Sequence, residues 1–209
     1  MFLFKVNLTL LNLIVKTEIT KAEVNELPLG KFEGEIIVLD TPIKITDAIE
    51  EIENENIIGV DTETRPTFKK GALNKTALVQ IATRKKVYLF RLNKMGLPYP
   101  LVRIFENPQI QKIGIAVLQD MKELSDQFRQ FQYQNVTDLN ILCKNLNFQN
   151  IGARNLTAMI LDFRISKRQQ TSNWEADELS EGQLRYAATD AWIARQVFLK
   201  LYYSKEFNF

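Results

Sequence analysis

No histidine occurs anywhere in the 209 residues, and there is a single cysteine, Cys143. The first absence excludes a Ser-His-Asp triad, His-ligated zinc and any imidazole general base. The second excludes an internal disulfide framework and a Cys-rich zinc site, and makes a reducing cytoplasm the expected compartment. Also absent are a Gly/Ser linker, a low-complexity tract and an internal repeat, so one α/β domain is expected, with or without a small appendage. Neither sign of charge is in excess. With 27 basic and 25 acidic residues the net charge is +2, which argues neither for nor against a nucleic-acid partner. A chain that is 45% hydrophobic and 25% charged has the composition of an ordinary soluble protein. Any chemistry must run on carboxylates, Tyr, Lys, Ser/Thr, Cys or a metal held by oxygen.

The apolar opening "MFLFKVNLTLLNLIV" raises the question of a signal peptide. Lys5 falls inside the run, Asn7 and Asn12 interrupt it, and no small-residue cleavage site follows. At roughly 15 residues it is too short to span a bilayer as a helix, and no membrane partner is expected. It reads as a packed N-terminal strand or arm, or as a start assigned too early. Residues 1–33 are taken as an extension ahead of a main domain over 34–209.

In that domain "EGEIIVLD" reads as a strand and "KITDAIEEIEN" as an amphipathic helix with Ile45, Ala48, Ile49 and Ile52 on one side. The runs "IIGVDTE", "TALVQIAT" and "KVYLFRL" follow as strands, then "QKIGIAV" as a short strand leading into the helix "LQDMKELSDQF". Helices are expected through "DLNILCKNLN" and "NLTAMILDF", with Asp138 capping the first. A polar loop, "RISKRQQTSNWEADE", precedes a long final helix, where Ser180 and Gln183 have the spacing of a capping box. Strands first and mixed elements afterwards give one central mixed sheet of five to six strands flanked by helices. Cys143, among Leu139, Leu142 and Leu146, is expected in the core.

The run "IIGVDTETRP" ends a buried-looking strand in two acids. Side chains two apart on a strand share a face, so Asp61 and Glu63 converge. In the last helix Tyr186 and Asp190, four apart, share a face as well. Asp120 stands near a strand-to-helix junction. Four acids meeting at one point carry a formal charge of −4 and need cations. Oxygen-only ligation suits Mg²⁺ or Mn²⁺, and two such ions form the usual clamp for displacement at phosphorus. Spacing alone leaves convergence open.

"DTE", the Asp120 segment and "YAATD" resemble, in order and context, the three motifs of the DEDD superfamily of 3′-5′ exonucleases, tyrosine subgroup. The stretch "SNWEADELSEGQLRYAATDAW" is similar to the third-motif region of ribonuclease D and the Werner-type exonuclease domain, and the resemblance covers Glu35 to Tyr203. It implies a ribonuclease H-like fold and a two-metal 3′-5′ exonuclease acting on DNA or RNA with a free 3′ end. Asp61 would bridge both ions, Glu63 and Asp190 would complete the site of the ion on the attacking water, and Asp120 would hold the second. Tyr186 would orient that water. The second motif departs from the family, which often has an Asn and an aromatic residue before its Asp where this chain has Ala116 and Gln119.

Around this site Thr62, Arg65, Phe68, Lys167, Arg168 and Trp174 are expected to touch substrate, Phe68 or Trp174 by stacking on a base. Two basic loops, with Lys69, Lys70 and Lys75 in one and Arg164, Lys167 and Arg168 in the other, could track a phosphate backbone. A solvated loop and, for Trp174, a packing role are the competing readings. Two rivals to a metal-dependent 3′-5′ exonuclease stay open: a non-catalytic nucleic-acid-binding module with a degenerate site, and a phosphodiesterase for short oligonucleotides.

Overall fold

The computed structural model describes residues 16–66, 75–128 and 130–204. The expectations for the apolar opening, Phe68, Lys69 and Lys70 lie outside them. Runs of β-branched and aromatic residues pair into one six-stranded sheet of order β1-β4-β3-β2-β5-β6. The strands are β1 (Glu35–Leu39), β2 (Ile57–Thr64), β3 (Thr76–Ala82), β4 (Lys86–Arg91), β5 (Gln111–Gly114) and β6 (Val136–Asp138). Only β3 runs against its neighbours; the pairs β1–β4, β2–β5 and β5–β6 are parallel. The expected mixed sheet is therefore present.

One face of the sheet packs Ile58, Val60, Val79, Ile81 and Phe90 against three helices: α2 (Thr46–Glu53), α4 (Tyr99–Glu106) and α5 (Val117–Gln127). The other face carries Leu78, Ala82, Val87 and Leu89 under the long helix α8 (Glu181–Tyr203). The α8 helix also closes a second cluster with α6 (Leu139–Asn145) and α7 (Ala153–Leu161), in which Cys143 is buried. Each large side chain that α8 buries there, such as Val197, Phe198 and Leu201, contributes about 1.5–3 kcal/mol. The Ser180–Gln183 capping box opens α8, as its sequence predicts, and Asp138 caps α6 through the Asn140 amide at 2.9 Å.

Two features hold α8 in register with the strands beneath it. Gly59 lets the helix backbone touch β2: a Cβ there would stand 2.0 Å from the Ala191 carbonyl oxygen. Buried Arg195 reaches down to the Ile57 carbonyl at 3.1 Å and to Glu55 at 3.5 Å. The segment before β1 is also fastened to the helix layer. It carries α1 (Lys21–Glu26), whose Val24 is buried, and a parallel bridge between Leu29 and Arg164. Further on, the Phe32 amide donates to Thr189 Oγ1 at 3.0 Å. The α4 helix and β6 were not separated by the sequence reading; two short turns, α3 (Leu92–Met95) and a 3₁₀ turn (Pro42–Ile45), complete the described elements.

Candidate active site

Alternation along β2 sends Ile58, Val60 and Thr62 to the face covered by α5, and Gly59, Asp61 and Glu63 to the face covered by α8. The β2–β3 register shifts between Glu63 and Thr64, the kind of irregularity that bends a strand end out of its ladder. On α8 the direct contact at Gly59 brings the next turn of helix over the end of β2. There the carboxylates of Asp61, Glu63 and Asp190 each offer an oxygen, and these oxygens lie within 4.8 Å of one another. All three residues are half-buried. Among the described residues none of the three forms an ion pair with a Lys or Arg.

The electrostatics follow from that crowding. Burial, then Asp190 and Glu63, push the Asp61 carboxyl well above the usual range. Burial with Asp190 and Asp120 raises Glu63 to about 9. Asp190 rises to about 7 by burial, partly offset by a hydrogen bond from Tyr186 and by the charge of nearby Lys167. Without cations these acids hold protons they do not hold in water. Tyr186 is itself driven up, by burial first and then by Asp190 and Glu63, so its hydroxyl keeps its proton.

Asp120 stands apart from the three. It lies in the first turn of α5, on the other side of the β2 end, and its carboxyl takes a hydrogen bond from the Thr62 side chain. Burial and then Glu123 raise it to about 6, and both Asp61 and Glu63 feel its charge. The residue before α5 is Ala116, in the left-handed region at φ 63°, where a Cβ is disfavoured. Its amide donates to Asp138 Oδ1 at 3.2 Å, so one carboxylate caps α6 and steadies the entry to α5.

The other expected contacts divide. Lys167 is close enough to Asp190 to act on it, and Arg65 bonds Glu175 at 3.4 Å on the surface. The Thr62 hydroxyl is engaged by Asp120 rather than turned to the α8 side. For Trp174 the stacking role is corrected: its side chain is wholly buried, with its ring centroid 6.0 Å from that of Tyr186, and it supports the tyrosine from below. Arg164 is likewise a fastener, its Nε donating to the Leu27 carbonyl at 3.0 Å. The sequence reading missed Gln80. It lies directly across from Asp61 in the β2–β3 register, fully buried, with neither amide atom hydrogen-bonded. Period-two counting sets Gln80 on one face with Leu78 and Ala82, and the β2–β3 register makes that face the one that carries Asp61.

A hard divalent cation fits this donor set. The ligands are oxygens only, with no imidazole or thiolate among them, and their crowding raises the proton affinity of each. Asp61, Glu63 and Asp190 would hold such an ion. Among the described residues no helix is long and apolar enough to cross a membrane.

Comparison with known proteins agrees with the geometry. The family model described as 3′-5′ exonuclease matches residues 36–204. A relative from Acanthamoeba polyphaga mimivirus is 31% identical over 162 residues, covering 70% of this chain and 40% of its own length. The Arabidopsis thaliana 3′-5′ exonuclease is 27% identical over 196 residues, covering 86% of this chain and 68% of the relative. The chain thus spans well under two thirds of the first relative and about two thirds of the second. Among solved structures, the exonuclease domain of Aedes aegypti Nibbler superposes with a TM-score of 0.74 at 22% identity, covering 82% of this chain and 90% of that one. The sheet order with its one reversed strand is the ribonuclease H-like arrangement that the motifs implied. By fold, by motif order and by the span of the match, the chain belongs to the 3′-5′ exonuclease family.

Proposed function

We propose that this chain is a metal-dependent 3′-5′ exonuclease that hydrolyses the last phosphodiester of DNA or RNA and releases a nucleoside 5′-monophosphate. The observation that carries the reading is the trio Asp61, Glu63 and Asp190, with oxygens within 4.8 Å and, among the described residues, no Lys or Arg ion-paired to any of them. Divalent cations, Mg²⁺ or Mn²⁺, would supply the Lewis acidity that draws charge from the phosphate and makes water a competent nucleophile near neutral pH.

The residues divide the remaining work. Asp61, which feels the charges of Asp190, Glu63 and Asp120 together, would be the carboxylate common to the divalent cations. Glu63 and Asp190 would hold with it, and Asp120, steadied by Thr62, would contribute from the other side. Tyr186, protonated and hydrogen-bonded to Asp190, orients the attacking water as a hydrogen-bonding partner and does not act as its base. Water adds to phosphorus, the bond to the 3′ oxygen breaks, and that oxygen takes up a proton as it leaves. Lys167 brings positive charge to the phosphate side of Asp190. A lone buried thiol suits a reducing cytoplasm.

The test is incubation with 5′-labelled DNA and RNA oligonucleotides in Mg²⁺, in Mn²⁺ and in EDTA, alongside Asp61→Ala. A metal-dependent ladder shrinking from the 3′ end, lost in the variant, is the expected result. Intact binding with no ladder on either sugar would overturn the reading in favour of a degenerate binding module. Cleavage confined to substrates of a few nucleotides would make it a short-oligonucleotide phosphodiesterase.

A further inference from the structure

Gln80 lies in the middle of β3, a strand buried along its whole length. Its side chain is inaccessible to solvent, and neither the oxygen nor the nitrogen of its amide is hydrogen-bonded. Native cores seldom keep such a group, because the hydration it loses is not made up. A methionine would fill a similar volume without that cost. The amide therefore calls for a partner, and the sheet register says which one.

On the α8 side of the sheet Gln80 stands between Asp61 of β2 and Leu89 of β4. Leu78 and Ala82 flank it on its own strand, on the same face. The helix above contributes Ala187, Ala188 and Ala191 to the apolar cluster that holds Leu78, Ala82 and Leu89. None of these side chains can bond an amide, and the carbonyls within the helix are taken by its own ladder. Among these neighbours Asp61 alone carries a side chain that accepts hydrogen bonds. Directly opposed residues of antiparallel strands have Cβ atoms about 4.5–5.5 Å apart, within reach of a glutamine and a carboxylate turned toward each other. The register shift in this strand pair comes later, between Glu63 and Thr64, and leaves the Asp61–Gln80 pairing regular.

An aspartate that holds a hard cation needs its carboxylate fixed in one orientation by donors behind it. Asp61 takes a backbone hydrogen bond from Thr62, and among the described residues it pairs with no Lys or Arg. A carboxylate has about four acceptor positions, so there is room for another donor. Resting on the exonuclease reading, we infer that Gln80 is a positioning residue: its side-chain NH₂ donates to Asp61 when that carboxylate holds a divalent cation, and so fixes the orientation of the ligand. A neutral amide suits the task. A Lys or Arg in its place would neutralise Asp61 and compete with the ion, whereas glutamine orients the carboxylate and leaves its charge for the metal. The same amide is a burden on the metal-free fold, which separates this role from ordinary packing.

Two variants test the assignment. Gln80→Met keeps the volume and removes the amide; Leu89→Met, on the other side of Gln80, repacks the same layer without removing a hydrogen bond. Each protein is titrated with Mn²⁺ in the absence of nucleic acid, and free Mn²⁺ is read by its electron paramagnetic resonance signal. Gln80→Met should bind Mn²⁺ about tenfold more weakly than the parent, the usual order of effect when the partner of a metal ligand is lost. Its metal-free melting temperature should be no lower than the parent's. Leu89→Met should bind Mn²⁺ as the parent does. An unchanged affinity in Gln80→Met would overturn the inference and leave the exonuclease reading standing. An equal loss in Leu89→Met, or a metal-free Gln80→Met protein that melts below the parent, would overturn it as well, since the effect would then be one of packing. A parent protein that takes up no Mn²⁺ would remove the metal-dependent reading first, and the role of Gln80 with it.

Discussion

Buried charge of the two signs is treated in opposite ways in this molecule. The buried cations are individually satisfied by backbone. Lys112 Nζ donates to the Asn107 carbonyl at 2.7 Å, Arg91 holds the Ala176 carbonyl, and Arg195 holds that of Ile57. The half-buried acids of the site are crowded together and, among the described residues, paired with no Lys or Arg: Asp61, Glu63 and Asp190 raise one another's proton affinity. A protein that can pair its buried cations so consistently has the means to pair its buried anions. That they stand unpaired marks them as a place where stability is given up for a ligand, and the arginines as places where it is not.

Mutation breaks the comparison most directly. Asp61→Ala should cost at least about 10³-fold in exonuclease turnover, the equivalent of about 4 kcal/mol of transition-state stabilisation. In EDTA the same variant should melt no lower than the parent, because it removes one member of a repelling group. Arg195→Ala should do the reverse, losing about 3 kcal/mol of stability by removing a buried cation's bonds to the Ile57 carbonyl and to Glu55, which keeps only the Arg84 amide. Chemical denaturation of both variants would decide it; an Asp61→Ala protein that unfolds early would mean the acids are structural.

Varying pH sharpens the contrast. Between pH 5 and 8 the metal-free folded protein holds protons on Asp120, Asp190 and Glu63, raised to about 6, 7 and 9, that the unfolded chain has already lost. Stability contributed by these groups is complete below the unfolded pKa and disappears as pH rises through the folded values, so the metal-free protein should weaken across this window. Lys112, lowered to about 8 by burial, works in the opposite sense only above that pH. Saturating Mn²⁺ should flatten the dependence, because the bound state holds the carboxylates ionised. Melting temperatures with and without metal would show a gap that widens with pH; a constant gap would contradict the account.

The smallest effect concerns a neutral group. Gln80 shares a sheet face with Asp61 and is buried with its amide unpartnered. Replacing it with Met should raise the metal-free stability by about 1 kcal/mol, since an unsatisfied buried polar group is removed at similar volume. A loss of stability in denaturant titrations would show instead that the amide is satisfied in solution.

Much of the site was legible because it depends on local geometry. Period two put Asp61 and Glu63 on one face, and the helix repeat aligned Tyr186 with Asp190. The capping box announced where α8 begins. What was not legible is set by contacts distant in sequence. Asp120 stands beside the cluster, close enough for its charge to act on Asp61 and Glu63, only because α5 crosses the opposite sheet face and Thr62 meets it there. Trp174 looked like a stacking surface from its polar loop, yet the gap between Tyr186 and the sheet takes it in. The segment before β1 takes its place because the Phe32 amide finds Thr189, 157 residues away, which no local pattern encodes. Ala116 gave no sign of its left-handed backbone, because alanine does not announce a positive φ as glycine or asparagine does.

The bare contact between Gly59 and α8 works as a gauge block. The Ala191 carbonyl, one residue from Asp190, rests where any side chain at position 59 would have to go. Lifting the helix by the thickness of one methyl would carry Asp190 away from Asp61, while the apolar clusters further along α8 could still absorb the shift. The tolerance of the catalytic gap is thus set by a residue with no functional group. A substitution there would behave in assays as damage to metal binding, although the altered atom touches neither carboxylate.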